Sequence, residues 1–366
     1  MNSDFPPIVD CHLDLAMNAL EWNRDLTQPL AAVRAAEAHL RDRPDRGRGT
    51  VCLPELRRGG VAVCVATQIA RLAHEAFSPV SGWRAPAQAW AMTQAQLAWY
   101  RELEVAGELT PITDRAGLDA HLAAWHGARA AGREGPVGYV RSLEGADSLV
   151  TLGHLERAWT DGLRALGPAH YGPGVYAQGT DTTGPFPVRG LELLRRAGQL
   201  GLILDVTHLS DDCLRQALEL YAGPLWASHH NARALAPHQR QLPDDLFRGL
   251  VARGGVASVC LDAWMLVPGW ERGRTTPAAA GLRLERVADH IDHFCQLAGD
   301  ARHVGIGSDL DGAFGTEQTP IDIDSIADLR ALSDILRARG YRDADVAGIL
   351  GGNLIDFLRR SLPGRP

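Results

Sequence analysis

The chain of 366 residues contains no lysine, so all 37 residues in its lysine-plus-arginine total are arginine. This absence excludes Schiff-base chemistry and the phosphate-cradling lysine of nucleotide-binding loops. It also excludes a carboxylated lysine as a bridge between two metal ions. Any such bridge must be a carboxylate, and Glu144 is the available candidate.

Long apolar runs and paired cysteine motifs are missing as well. No segment approaches the length and apolarity of a membrane span, and no basic segment followed by an apolar stretch opens the chain. The six cysteines are scattered, mostly within apolar runs, and no Cys-x-x-Cys motif occurs. This usage predicts reduced thiols in the core. We therefore expect a soluble, cytoplasmic protein that does not associate with membranes.

The sequence also lacks a basic stripe, and its formal net charge is -7. Nucleic acid is therefore not expected as a partner, because nothing on the chain would neutralise a run of phosphates. The most basic segment, Arg41 to Arg48, is interrupted by aspartates and is typical of a solvated loop.

Eight apolar segments have the length of β-strands, and each is separated from the next by residues able to form a helix. They are Pro7 to Leu13, Val61 to Ile69, Val137 to Leu143, Leu163 to Ala169, Leu202 to Thr207, Pro224 to Ser228, Gly255 to Leu261 and His303 to Ser308. This alternation predicts an α/β fold: one (β/α)8 barrel of the TIM type over residues 1–366. An excursion from Glu21 to Leu56 is expected after the first strand, and a long Gly/Pro-rich loop from Gly167 to Gly190 after the fourth.

Helical periodicity fills most of the intervals between the predicted strands. Helices are predicted over 87–103, 116–131, 190–200, 211–221, 243–252, 283–297 and 326–339. The tail from Val346 to Leu358 is predicted to be helical, with an internal turn at Gly351-Gly-Asn353.

Polar residues stand where most of these strands end. They are His12 and Asp14 after the first strand, Glu144 after the third, His170 after the fourth, His208 after the fifth, His229 after the sixth and Asp309 after the eighth. The carboxyl ends of barrel strands meet at one face, where active sites are built. Histidines mixed with carboxylates suit a divalent cation of intermediate softness, best zinc. The pattern predicts a metal-dependent hydrolase.

Several roles stay open on the residues alone. Only one of His229 and His230 can face the site, because adjacent strand residues point in opposite directions. The same alternation turns Cys11 away from the site. Asp309 and Asp311 have the same side-chain parity, so either could carry a proton. Asp205 either orients a ligand histidine or makes an ordinary buried hydrogen bond.

The remaining histidines are expected at the surface. They are His39, His74, His121, His126, His154, His238, His290, His293 and His303.

Sequence motifs over nearly the whole chain resemble those of the membrane dipeptidase (renal dipeptidase) family, binuclear zinc peptidases within the amidohydrolase-like barrels. The motifs are Val9-Asp-Cys-His-Leu-Asp14, Leu56-Arg-Arg-Gly-Gly-Val-Ala62, Leu143-Glu-Gly145, Gly201-Leu-Ile-Leu-Asp-Val-Thr-His-Leu-Ser210, Ser228-His229, Arg240-Gln-Leu-Pro-Asp-Asp245, His303-Val-Gly-Ile-Gly-Ser-Asp-Leu-Asp-Gly312 and Gly351-Gly-Asn353. The chain departs from the family around His170, where Leu166-Gly-Pro-Ala-His170 replaces a Leu-Thr-containing strand, and the usual asparagine after the histidine is absent.

The resemblance implies a dipeptidase that uses a hydroxide bridging two zinc ions. The implied ligands are His12 and Asp14 for one Zn²⁺, His208 and His229 for the second, and Glu144 between them. Among the other implied roles, Arg240 pairs with the substrate carboxylate, while Arg233 has a structural place. His170 holds the carbonyl oxygen, and Asp309 transfers protons.

Two rival functions are compatible with the same residues. A barrel of the same metal layout could hydrolyse another amide, a lactone or a phosphoester, in which case Arg240 would read no free carboxylate. A non-enzymatic metal-binding scaffold would have a closed metal shell. The expected partner is a small dipeptide substrate, and the resemblance is compatible with a homodimer.

Overall fold

The computed structural model describes residues 5–73 and 82–364. Within these ranges the strands are β1 (Ile8–Leu13), β2 (Val61–Ile69), β3 (Leu109–Pro111), β4 (Val137–Glu144), β5 (Leu163–Gly167), β6 (Ile203–Asp205), β7 (Leu225–Trp226), β8 (Ala257–Val259) and β9 (Val304–Ile306). All but β3 follow one another in the order β7-β6-β5-β4-β2-β1-β9-β8, and their pairings are parallel. A parallel bridge between Ala227 and Ala257 joins the two ends of this order. The eight strands thus form a nearly closed barrel, as predicted.

Helices fill the connections between the strands. They are α1 (Leu15–Glu21), α2 (Leu30–Glu37), α3 (Leu53–Gly59), α4 (Pro86–Val105), α5 (Arg115–Ala130), α6 (Leu152–Thr160), α7 (Val188–Gln199), α8 (Asp211–Leu220), α9 (Asp244–Ala252), α10 (Ala263–Leu266), α11 (Leu284–Ala298), α12 (Leu332–Ala338), α13 (Asp343–Ala347) and α14 (Asn353–Ser361). Short 3₁₀ helices cover Ala146–Ser148, Thr316–Gln318 and Ile326–Ala331, and a π-helical turn covers Gly348–Gly352.

The strands are buried on both faces, which explains why the sequence marks them as continuous apolar runs. Every residue of β1, β2 and β4 is buried. A parallel barrel strand has helices on its outer face and the barrel core on its inner face, so neither side reaches water. Neighbouring helices also pack on one another: Phe294 of α11 stacks on Phe247 of α9 with ring centroids 4.5 Å apart.

The predicted turn in the C-terminal tail is wrong. Gly352 and Asn353 have helical backbone angles (φ -56° and -61°), so the π-helical turn connects α13 directly to α14. The glycines serve close packing instead. A Cβ atom added to Gly351 would lie 2.3 Å from the backbone oxygen of Pro7, so only glycine allows this helix to approach the start of β1.

The excursion after β1 is docked on the barrel through a buried arginine. Arg24 pairs with Glu37 (Nε to Oε1 3.0 Å) and with Asp45 (Nη2 to Oδ2 2.9 Å). Its Nη1 lies 3.5 Å from Oδ2 of Asp311, in the loop that follows β9. Oδ1 of Asp311 also accepts hydrogen bonds from the backbone nitrogen and hydroxyl of Thr50, both 2.7 Å long. This network fixes the excursion next to the carboxyl end of the barrel.

Two further expectations concern the cysteines and the apolar segments. All six cysteines are buried and free of disulfide bonds, as expected for core thiols. Among the described residues, none of the helices has the length and apolarity needed to cross a lipid bilayer.

Candidate metal and active site

The predicted site residues converge at the carboxyl ends of the strands. A cavity of about 500 Å³ opens there, and its walls include Asp14, Glu144, His170, His208, His229, Arg240 and Asp309. His12 lies directly behind this wall, with Nε2 3.9 Å from Oδ1 of both Asp14 and Asp309. The structure therefore brings together all eight residues that the sequence proposed for the site.

Glu144 stands at the centre of the cluster, and its two oxygens face different histidines. Oε2 lies 3.5 Å from Nε2 of His12. Oε1 lies 3.1 Å from Nε2 of His208 and 3.6 Å from Nε2 of His229. One carboxylate oxygen is thus available to each side of the cluster, which is the geometry of a bridging ligand.

Within the described ranges, three groups of ligand atoms are close enough together to hold a metal ion. They are His12 with Asp14 and Glu144, Glu144 with His208 and His229, and His12 with His229 and Asp309; within each group the ligand atoms lie within 4.8 Å of one another. Glu144 belongs to the first two groups, which share no other member. Two neighbouring cation positions with Glu144 between them fit this arrangement.

Hydroxyl groups behind the histidines set the orientation of the rings. Thr180 Oγ1 lies 2.8 Å from Nδ1 of His208, and Ser228 Oγ lies 2.9 Å from Nδ1 of His229. Each ring is therefore held through Nδ1 and presents Nε2 to the cluster, as hydrogen-bonding partners of metal-binding histidines commonly do. Thr180 belongs to the long loop after β5, so this loop contributes to the site.

The electrostatics of the cluster favour a bound cation. Burial opposes a charge on His12, but Glu144, Asp14 and Asp309 outweigh it and raise the pKa of His12 to about 10. Burial and Glu144 raise the pKa of Asp14 to about 7, and burial raises the pKa of Asp309 well above its usual range. Against the effect of burial, His12 holds the pKa of Glu144 well below its usual range, so it is Asp14 and Asp309 that resist ionising beside it. A divalent cation in place of the His12 proton would relieve that resistance.

The donor atoms also suit zinc. Burial lowers the pKa of His208 to about 3 and holds the pKa of His229 far below its usual range, so both rings are neutral and have a nitrogen lone pair free. Nε2 of His12 and Oδ1 of Asp14 are buried and make no hydrogen bond within the described part of the chain. Buried polar atoms without partners are rare, and ligation by a metal ion would satisfy both.

Arg240 is buried in the cavity wall after β7. Its Nη2 donates to the backbone oxygen of His229 (3.0 Å), while Nη1 is buried and unpaired among the described residues. His230 points away from the cluster, and its Nε2 lies 2.8 Å from the backbone oxygen of Arg240. The two adjacent side chains point in different directions, so His229, and not His230, lies in the site.

The structure also distinguishes the two aspartates after β9 and gives Asp205 its place. Asp311 is fully engaged with Arg24 and Thr50, whereas Asp309 lines the cavity. Asp205 accepts hydrogen bonds from the backbone nitrogens of Thr207 (3.1 Å) and Ser228 (3.0 Å), and these are ordinary buried hydrogen bonds.

Arg233 and Cys11 both lie outside the cluster. Arg233 forms an ion pair with Asp211 (2.6 Å), in keeping with a structural place. Cys11 is buried among core side chains such as Val63 and belongs to none of the three candidate metal groups of the described chain.

The expectation of surface histidines is wrong at two positions and untested at one. His121 and His290 are buried. Nε2 of His121 lies 2.9 Å from the backbone oxygen of Ala62, and Nδ1 of His290 accepts a hydrogen bond from the backbone nitrogen of Ala232 (3.0 Å). Both lie on the inner faces of helices, where a neutral imidazole replaces an apolar side chain. His74 lies outside the described residues.

Several residues of the cavity wall were not predicted. Arg71 follows β2 and Asp262 follows β8, the two barrel strands for which the sequence offered no site residue. Arg272 lies in the next loop, where its Nη2 is 3.0 Å from Oδ2 of Asp262, and Tyr171 is adjacent to His170. Arg71 and Asp262 each follow an apolar strand, and that position could have identified them as candidate site residues. No spacing pattern marks Arg272 or Tyr171.

The fold and the cluster define a (β/α)8 barrel with a candidate metal centre at the carboxyl ends of its strands. A family model described as membrane dipeptidase, peptidase family M19, matches residues 4–361. The chain therefore belongs to the membrane dipeptidase family.

Individual relatives agree with this membership. An uncharacterized protein in the pqqA 5′ region of Klebsiella pneumoniae is 30% identical over 229 residues, which is 60% of this chain and 80% of that protein. The dipeptidase verJ of Clonostachys rogersoniana is 27% identical over 226 residues, 60% of this chain and 54% of its own length. Against this and the other fungal dipeptidases, the match spans about half of the relative's length.

A solved structure shows the same fold. The metallopeptidase from Rhodobacter sphaeroides, liganded with a phosphinate mimic of the dipeptide L-Ala-D-Ala, superposes with a TM-score of 0.76 at 24% identity. The superposition covers 98% of this chain and 100% of that one.

Proposed function

We propose that this protein is a zinc-dependent dipeptidase that hydrolyses the single amide bond of a free dipeptide. The observation that carries the proposal is the position of Glu144, whose two oxygens face His12 on one side and His208 with His229 on the other. Family membership and the names of the relatives support the choice of a dipeptide as substrate.

The residues proposed to hold two zinc ions are those of the two groups that share Glu144. His12 and Asp14 would hold one ion, and His208 and His229 the other. Zinc held by these residues would supply Lewis acidity and would lower the pKa of a bound water toward neutrality.

The chain's own residues perform the remaining tasks. Asp309 lines the cavity, and its side chain is 15% exposed, so it can exchange protons with bound groups. It would accept a proton from the attacking water and deliver it to the departing amine. Burial keeps His170 neutral by lowering its pKa, and the ring would donate a hydrogen bond to the carbonyl oxygen as negative charge develops there.

Arg240 would bind the free carboxylate of the substrate. Its buried Nη1 has no partner among the described residues and belongs to a side chain in the cavity wall. An unpaired, desolvated guanidinium N–H is costly, and a carboxylate satisfies it with the strong geometry typical of arginine. This residue separates a dipeptidase from a barrel that hydrolyses lactones, phosphoesters or amides without a carboxylate.

The experiment measures turnover of zinc-loaded protein on L,L and L,D dipeptides, beside dipeptides with a blocked C-terminal carboxylate. We expect hydrolysis of free dipeptides, and a KM about 10 to 100-fold higher in Arg240→Ala with a smaller change in kcat, because a carboxylate contact formed already in the ground state is lost.

Arg302→Ala serves as the matched control, because this arginine pairs with Asp300 outside the cavity and its side chain is 81% exposed. Hydrolysis of blocked dipeptides, lactones or phosphoesters with no response to Arg240→Ala would favour the rival hydrolase. Absence of turnover on every free dipeptide would end the peptidase assignment.

A further inference from the structure

Among the residues that the structure describes, three arginines line the cavity, and two of them have defined partners. Arg272 is paired with Asp262 at 3.0 Å, and Arg240 donates to the backbone of His229. The third, Arg71, follows β2. Within residues 5–73 and 82–364 its side chain forms no ion pair or hydrogen bond, and its Nε is buried without a partner.

Arg71 and Arg240 lie on opposite walls of the barrel. In the closed strand order, β2 is four strands away from β7 in either direction. Arg71 follows β2, and Arg240 lies in the connection after β7. A substrate that spans the cavity with its carboxylate on Arg240 therefore extends its other end toward Arg71.

The carboxylates near Arg71 do not satisfy it. Glu21, Glu144 and Asp14 act on it electrostatically, in decreasing order, and burial works against its charge. Asp14 and Glu144 belong to the candidate metal groups, where a bound cation would take up their negative charge. Arg71 is partly exposed, its Nε is fully buried, and the same cavity wall includes the apolar side chains of Met17 and Ile69. A guanidinium in this setting calls for an anionic ligand group.

We propose that Arg71 determines specificity by pairing with an acidic side chain on the amino-terminal residue of the dipeptide. The preferred substrates are therefore Asp-X and Glu-X dipeptides. This inference rests on the proposed function, because it takes the orientation of the substrate from Arg240 and the cluster.

The test compares isosteric pairs of substrates. Glu-Ala and Gln-Ala differ by the charge of the first side chain, and Ala-Glu and Ala-Gln by the charge of the second. We expect kcat/KM for Glu-Ala to exceed that for Gln-Ala by roughly 10 to 100-fold, the range for a charge-assisted hydrogen bond in a desolvated site. The second pair should differ by much less.

Variants of Arg71 assign the effect to this residue. Arg71→Met keeps the length of the side chain and should bring the Glu-Ala to Gln-Ala ratio close to one, mainly by lowering kcat/KM for Glu-Ala. Arg71→Lys should restore part of the ratio, because it restores the charge without the planar fork. Arg115→Met, an exposed substitution at the start of α5, should leave the ratio unchanged.

A binding measurement separates the inference from the proposed function. Calorimetry with zinc-loaded Asp309→Asn, in which turnover should be slow, gives Kd for Glu-Ala and Gln-Ala with and without Arg71→Met. Tighter binding of Glu-Ala that depends on Arg71 supports the inference even if wild-type protein hydrolyses neither peptide, which would contradict only the proposed function. Equal kcat/KM and Kd for the first pair, a ratio unchanged in Arg71→Met, or discrimination confined to the second pair would overturn it.

Discussion

Glu144→Gln is expected to lower kcat/KM for a free dipeptide by about 10³-fold or more, and to reduce bound zinc from two ions per chain to at most one. The carboxylate is buried and stands between the two candidate cation positions, with one oxygen facing His12 and the other facing His208. An amide has no charge and a single oxygen, so it cannot bridge. The loss corresponds to several kcal/mol of transition-state stabilisation, the contribution expected of metal-ion catalysis.

Metal analysis after dialysis and steady-state kinetics, made on one preparation, check this prediction. Glu156→Gln is the matched control, because this glutamate pairs with Arg196 and its side chain is 47% exposed. It should keep both the zinc content and the rate. Two tightly bound zinc ions with near-normal turnover in Glu144→Gln would contradict the bridging role.

Asp309→Asn is expected to lower kcat by about 10² to 10⁴-fold, the range for general acid-base catalysis, with a smaller change in KM. The asparagine keeps the shape of the side chain but cannot accept and return a proton. Single-turnover kinetics together with the melting temperature would show whether the loss lies in the chemical step, because stability should change little for a residue at the cavity wall.

Asp311→Asn is the informative comparison, two residues further along the chain. Asp311 receives hydrogen bonds from Thr50 and pairs with Arg24, all in the core. Its substitution should lower the free energy of unfolding by about 1–3 kcal/mol, the cost of leaving buried polar groups unsatisfied, while kcat falls far less than in Asp309→Asn. The reverse pattern, with activity lost in Asp311→Asn and retained in Asp309→Asn, would exchange the roles of the two residues.

The sequence predicted the barrel and the central cluster for one physical reason. Barrel strands are buried on both faces and therefore appear as apolar runs, and the polar residues that follow them must meet at one face. His12, Glu144, His208 and Asp309 were found in this way, although they lie far apart along the chain. Because the chain has no lysine, a carboxylate was the predicted bridge between two metal ions, and Glu144 was the candidate. The structure places Glu144 between His12 on one side and His208 on the other.

Features that depend on packing between distant segments could not be predicted from the sequence. Parity along a strand could not separate Asp309 from Asp311, because the difference arises from the excursion that supplies Arg24 and Thr50. The glycines at 351 and 352 resemble a turn in sequence, yet they permit close packing of a continuous helix against the barrel.

The place of Arg71 in the cavity wall could not be predicted from the sequence either. Arg71 follows an apolar strand, but a single arginine in that position is also common on protein surfaces. Its significance came only from the barrel, which places it opposite Arg240 and leaves its side chain without a partner among the described residues.

Anomalous diffraction at the zinc absorption edge, from crystals of the protein loaded with zinc, tests the central claim most directly. The account predicts two peaks in the cavity, one beside His12 and Asp14 and the other beside His208 and His229, with Glu144 in contact with both. A single peak, or peaks that Glu144 does not touch, would contradict it.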